Sequence, residues 1–131
     1  MEDCIFCKII KGELPSKTIY EDDLIKIIMN INPSTDGHLL VLPKEHMVTI
    51  NDTTNEVITH SIDIIRDKIY PLLKEKLNCE GLTIAQNNDL GQEVKHYHIH
   101  LTPRYQNDLV EFNYNPDQIS DLDEIFNKLT K

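Results

Sequence analysis

Between residues 17 and 43, apolar side chains recur in short runs rich in β-branched residues. "KTIY" (17–20) and "LIKIIMNI" (24–31) flank the acidic turn Glu21-Asp22-Asp23, a pattern that predicts a β-hairpin. "HLLVL" (38–42) predicts a third strand starting at His38 and ending at Pro43, where the missing amide N–H stops sheet pairing. From Thr53 the period changes. Ile58, Ile62, Ile65, Ile69 and Leu72 recur at steps of four and three, and Thr53 and Glu56 have the spacing of a capping box, so a long helix is expected over 53–77. Val57 and Ile64 widen its apolar face, as burial against a sheet on one side and a partner subunit on the other would require. Pro71 predicts a kink or local irregularity within it. "GLTIAQ" (81–86) and "VKHYHIHL" (94–101) predict two more strands, joined by the loop "NNDLGQE" (87–93). At the N-terminus Asp3 is expected to cap a short helix over "CIFCKII" (4–10) that stops at Gly12. At the other end Asn115 and Pro116 suit the cap and first position of a helix carrying Ile119, Leu122, Phe126 and Leu129 on one face. The order of elements predicts an α+β fold: an antiparallel sheet, one long central helix, and a short helix at each end.

Length and charge narrow the picture. A chain of 131 residues is expected to form a single domain, 1–131. Its net charge of −9 and lack of clustered Lys and Arg argue against a nucleic-acid polymer as partner. The acidic residues in "MEDCIFCKII" and the short apolar run fit neither a signal peptide nor a membrane span, so a cytoplasmic protein without a membrane partner is expected. Three cysteines are an odd number, and reduced thiols follow.

The candidate chemistry lies in "VKHYHIHLTPRY" (94–105). In a strand, His96, His98 and His100 share one face while Tyr97, Ile99 and Leu101 take the other. Such a row of imidazoles can be a solvated polar face, a set of metal ligands, or a site of covalent catalysis. Three in a row span roughly 13 Å at strand rise, which suits a single metal ion poorly. In covalent catalysis one neutral imidazole attacks phosphorus while its second nitrogen keeps its proton by donating to a backbone carbonyl. Cys4 and Cys7 have metal-knuckle spacing, which alone leaves a site two ligands short. Cys79 reads as packing, His60 as a surface residue on the long helix, and Arg104 as a structural anchor.

These segments resemble the histidine-triad (HIT) superfamily. "NNDLGQEVKHYHIHLTPR" is similar to its signature, "INPSTDGHLLVLPKEH" to its second block, and "CIFCKIIKGELPS" to the N-terminal block of its Hint-like bacterial branch. The resemblance implies a HIT-like fold with a catalytic core over about residues 4–105, beyond which the C-terminal helical segment over about 115–130 would be an extension. It further implies a nucleotide hydrolase or transferase that cleaves at the α-phosphate of nucleoside phosphoramidates or dinucleoside polyphosphates. A nucleotidyl-histidine intermediate would form, and a nucleoside monophosphate such as AMP would be released. By position His98 would be the nucleophile, His100 would contact the phosphate, His96 would brace the strand, and His38 would support His100. Asn87, Gly91, Gln92 and Glu93 would lie by the phosphates, Glu93 standing where many relatives have Ser or Thr. Asn30 stands where an Asp commonly holds the ribose, and Ile31 would pack on the base. The branch with the cysteine pair can bind a structural Zn²⁺, here through Cys4, Cys7, His46 and His96. A purine nucleotide substrate containing adenosine and a homodimer are the expected partners. The alternatives are a zinc-dependent hydrolase with the histidines as ligands, and a nucleotide-binding regulator with little turnover.

Overall fold

The computed structural model describes residues 3–131. The elements follow in the order α1 (Ile5–Ile10), β1 (Thr18–Glu21), β2 (Ile25–Met29), β3 (Leu39–Pro43), α2 (Asn55–Ile64), a π-helical turn (Ile65–Ile69), α3 (Tyr70–Leu77), β4 (Gly81–Gln86), β5 (Ile99–Arg104), a 3₁₀ turn (Pro116–Gln118) and α4 (Leu122–Thr130). The strands form one antiparallel sheet in the order β1-β2-β3-β5-β4. This is the expected α+β arrangement.

Alternation along the strands divides the molecule into two layers of core. Ile25, Ile27, Leu39, Val41, Ile99 and Leu101 pack on the helical side, with Val57, Ile64, Ile65, Ile69 and Leu73. Ile28, Leu40 and Leu42 point the other way, onto Phe6 and Ile9 of α1. The imidazoles of the triad lie on that second face, while Tyr97 joins Ile99 and Leu101 in the first. One face of the sheet is therefore held by a long helix while the other carries the chemistry.

Four local expectations are corrected. Cys4, not Asp3, caps α1, its Sγ accepting from the Cys7 N–H at 3.3 Å. Thr54, not Thr53, caps α2, because the Thr53 hydroxyl donates to the Thr49 carbonyl at 2.8 Å and is not free to cap. The stripe on the long helix is rotated from the one expected. Val57, Ser61, Ile64, Ile65, Ile69 and Leu73 face the sheet, and Ile62 stands 42 % exposed. The π-helical turn is part of the reason: the Tyr70 N–H reaches back to the Ile65 carbonyl, adding a residue to one turn just before Pro71, whose nitrogen has no hydrogen to donate. At the C-terminus the Asn115 cap exists, its side chain accepting from the Asp117 N–H, but the turn ends at Gln118 and α4 starts afresh under Asp121.

Two side chains far apart in sequence lock the hairpin to the long helix. Asp22 accepts from the Leu24 and Ile25 N–H groups and from the Tyr20 hydroxyl, and it meets His60 Nε2 at 2.6 Å. His60 is thus hydrogen-bonded to a partly buried carboxylate rather than a bare surface residue. Burial opposes charge on Asp22, but this set of donors outweighs it and holds the carboxyl well below its ordinary range.

Candidate active site

The strand carrying the triad begins only at Ile99. The register pairs Val41 with Ile99 and Leu40 with His100, so two steps further Pro43 would face Tyr97. Pro43 has no N–H to extend the ladder, and its carbonyl accepts instead from the His96 ring at 2.8 Å. His96 and His98 therefore lie in the irregular segment leading into β5, pinned by the Tyr97 N–H to the Met47 carbonyl. His100 is in the strand itself.

The hydrogen bonds assign a tautomer to each ring. Because His96 Nε2 donates to a carbonyl, its Nδ1 is a free lone pair, and it lies 3.4 Å from Cys4 Sγ and 3.5 Å from Cys7 Sγ. His98 Nδ1 donates to the carbonyl of His96 at 2.7 Å, which leaves the Nε2 lone pair of His98 free. His38 Nδ1 accepts from the Ser34 N–H at 3.0 Å, so its proton is on Nε2 and is donated across 3.0 Å to His100 Nδ1. His100 is then left with its proton on Nε2, ready to donate to an anion. One ring thereby offers a free Nε2 lone pair and its neighbour a free Nε2–H.

Burial keeps these rings neutral. It lowers the pKa of His38, His96 and His98, with the nearby Glu93 charge working the other way on His98. His100 is lowered to about 4 by burial and by the adjacent His98 and His38. Phe6 of α1 packs edge-on to His98, ring centroids 5.0 Å apart, and fixes the ring's tilt. Gly37, directly before His38, turns the chain with φ of +87°, and a Cβ there would stand 2.6 Å from Leu77 Cδ1. Only glycine allows the approach that delivers His38.

His98, His38 and His100 open onto a cavity of about 790 Å³, a size suited to a small-molecule ligand. Asn30, Ile31, Asn87, Gly91 and Glu93 also line it, as do the apolar Phe6, Ile9, Ile28 and Leu40. Asn30 is oriented by its Oδ1 accepting from the Asn32 N–H at 2.9 Å, and Ile31 stands 90 % exposed at the rim. Gln92 is placed differently. Its buried amide donates to the Val48 carbonyl at 2.6 Å and accepts from the Asp89 N–H, so it braces the loop rather than facing the cavity. Gly91, with φ of +97°, takes the backbone into the cavity wall. Arg104 points away, bound to Asp108, Thr83 and the Val110 carbonyl.

The second cluster is Cys4, Cys7, His46 and His96, whose ligand atoms all lie within 4.8 Å of one another. Cys7 Sγ is 3.2 Å from His46 Nδ1. Burial and the neighbouring Cys4 push the Cys7 thiol up to about 11, a cost that a bound cation would offset. Two sulfurs and two imidazole nitrogens converging on one point could hold a metal ion. His96 Nε2, held by the Pro43 carbonyl, supplies the outer hydrogen bond that orients a ligating imidazole. Cys79 is buried in the helical-side core, as packing.

The family model described as HIT domain matches residues 11–107. The chain belongs to the HIT family. An uncharacterized HIT-like protein of Methanocaldococcus jannaschii is 37% identical over 128 residues, 96% of this chain and 98% of that one. An adenosine 5'-monophosphoramidase of Saccharomyces cerevisiae is 35% identical over 103 residues, 77% of this chain and 62% of the yeast protein. A Zn-bound histidine triad family protein from Mycobacterium smegmatis superposes with a TM-score of 0.79 at 36% identity, covering 89% of this chain and 86% of that one. No described helix of this HIT protein is long and apolar enough to cross a membrane.

Proposed function

We propose that the protein cleaves nucleotides at the α-phosphate through a nucleotidyl-His98 intermediate, acting on adenosine phosphoramidates or dinucleoside polyphosphates and releasing AMP. The observation that carries this is the 2.7 Å bond from His98 Nδ1 to the His96 carbonyl, which leaves a neutral Nε2 lone pair at the wall of a nucleotide-sized cavity. Nε2 attacks phosphorus, and the bond to the leaving group breaks. The departing atom keeps that electron pair and takes a proton from solvent. Water then attacks phosphorus, the N–P bond pair returns to Nε2, and the water's spare proton is released. His100 donates to a phosphate oxygen through Nε2–H, and His38 holds it in that tautomer. The apolar walls around Ile28 and Leu40 receive the base, Ile31 packs on it, and Asn30 meets the ribose.

Cys4, Cys7, His46 and His96 form a Cys₂His₂ set of the kind that suits a structural Zn²⁺. Holding it, they would tie α1 to the segment carrying the triad, in a structural rather than a water-activating role. The sequence relation to a phosphoramidase supports the substrate class. Rapid acid quench during turnover of an adenosine phosphoramidate is expected to trap AMP on the peptide containing His98; an adduct mapped to another residue would overturn the assignment of the nucleophile.

The working unit is a homodimer in the cytoplasm. Ile62 on the outer face of α2 is exposed, and Ile84 stands out from β4, the strand at the sheet edge. Burying these faces in a second copy would remove apolar surface from water. Ile62→Asp is expected to shift sedimentation at micromolar concentration toward the 15.2 kDa monomer; an unchanged profile would remove α2 from the interface.

A further inference from the structure

Phe6, Ile9, Ile28 and Leu40, which pack together as one apolar cluster, share the wall of the cavity that holds His98 with the polar Asn30, Asn87 and Glu93. Among the described residues lining it there is no Lys or Arg, and Glu93 is the one carboxylate. A second, more open cavity of about 550 Å³ adjoins it, and Ile5, Glu93 and Val94 line both. Glu93 therefore stands on the saddle between them. Asp3 and Lys95 also line the second cavity, the Lys95 ammonium donating to the Asp89 carbonyl at 3.0 Å. Cys4 and His46 line it too, but a Zn²⁺ held by two thiolates and two neutral imidazoles would add no net charge, so two carboxylates against one such ammonium leave that opening negative.

Glu93 shares the cavity wall with His98 and is near enough for its charge to act on that ring, so a nucleotide with its base on the apolar side chains and its α-phosphate at His98 would have its leaving group within reach of the saddle. The phosphate already brings negative charge into a chain of net charge −9. A further anion at the leaving-group position would meet the Glu93 carboxylate with no Lys or Arg in the wall to balance it. An amine there meets a hydrogen-bond acceptor, and a cationic amine gains attraction as well.

We propose that Glu93 is a specificity-determining residue which selects neutral or cationic leaving groups, amines above all, and rejects anionic ones such as sulfate or further phosphate. The inference rests on the nucleotidyl-transfer reading given above and divides the two substrate classes left open there. Like charges held apart by a few side-chain lengths at a partly exposed site discriminate by roughly tenfold, and salt weakens the effect.

The test compares kcat/KM for an AMP phosphoramidate of a cationic alkylamine with kcat/KM for adenylyl sulfate, in the wild type, Glu93→Gln, Glu93→Asp and Glu93→Lys. Calorimetric Kd values for AMP and ADP are measured in parallel, the β-phosphate of ADP standing in for an anionic leaving group. The preference for the amine substrate is expected to fall roughly tenfold in Glu93→Gln, to fall further in Glu93→Lys and to persist in Glu93→Asp. The AMP-over-ADP preference should follow the same order and shrink as salt is raised. If both ratios stay the same in Gln and Lys variants, Glu93 is not the selector. If the binding ratio moves as expected but neither substrate turns over, the selectivity stands and the catalytic reading falls.

Discussion

Replacing His98 with alanine is expected to lower turnover of an adenosine phosphoramidate by at least ~10⁴-fold while AMP binding is largely retained. The asymmetry follows from what the ring touches. Its Nδ1 is committed to the His96 carbonyl and the ring lines the cavity, so deleting it removes the atom proposed to attack and leaves the apolar walls and His100 in place. His38→Ala is expected to cost less, about 10- to 100-fold, the scale of weakening the one hydrogen bond that His100 would make to a charged phosphate. His100 would then keep its ring but lose the donor that fixes its tautomer. Single-turnover kinetics with AMP titration separates the two variants. A His98→Ala protein with near-native kcat would show that the attacking group is elsewhere.

Removing the Zn²⁺ proposed to sit in the Cys₂His₂ cluster is expected to lower the melting temperature by on the order of 10 °C and to weaken AMP binding. An ion held at a thousandfold excess over its Kd contributes about 4 kcal/mol, and each kcal/mol moves a domain of this size by a few degrees. The effect on the nucleotide follows from shared residues. Cys4 and Cys7 bracket Phe6 on α1, and Phe6 lies against His98 in the cavity wall. His96 offers its side chain to the cluster and its carbonyl to His98. Loss of the ion frees both at once. Metal analysis of protein purified without chelator, followed by scanning calorimetry with and without added Zn²⁺, decides the matter. Metal-free protein whose melting does not respond to Zn²⁺ would show that the cluster is only a set of reduced thiols and imidazoles.

The sequence reveals those parts of the molecule that depend on local pattern. The β4 segment is found over the residues its composition predicts, Gly81–Gln86, because strand residues bounded by Glu80 before and Asn87-Asn88 after leave little choice of boundary. The alternation of His96, Tyr97, His98 and Ile99 assigns their faces correctly even though the strand starts later than the pattern suggests. What is hidden depends on partners distant in sequence. The early end of sheet pairing comes from Pro43 on another strand, and the bracing role of Gln92 comes from the Val48 carbonyl. The Asp22–His60 pair spans 38 residues, with no periodicity to announce it. The rotated stripe on the long helix reflects a π-helical turn whose extra residue breaks the count that a 3.6 period assumes. The convergence of Cys4, Cys7, His46 and His96 was legible through the family resemblance, since no spacing in the chain links His46 to the cysteines.

The neutral imidazoles have a consequence for the molecule in acid. His38, His98 and His100 all take up protons less readily in the folded chain than at their ordinary pKa of 6.5, His100 only near 4. As pH falls below 6.5 the unfolded chain therefore binds protons that the native site refuses. Each proton pulls the folding equilibrium toward the unfolded side, and the loss accumulates until the native rings protonate in turn. The arrangement that keeps ring lone pairs free at neutral pH thus makes the fold lose stability in mild acid, through the residues that would do its chemistry.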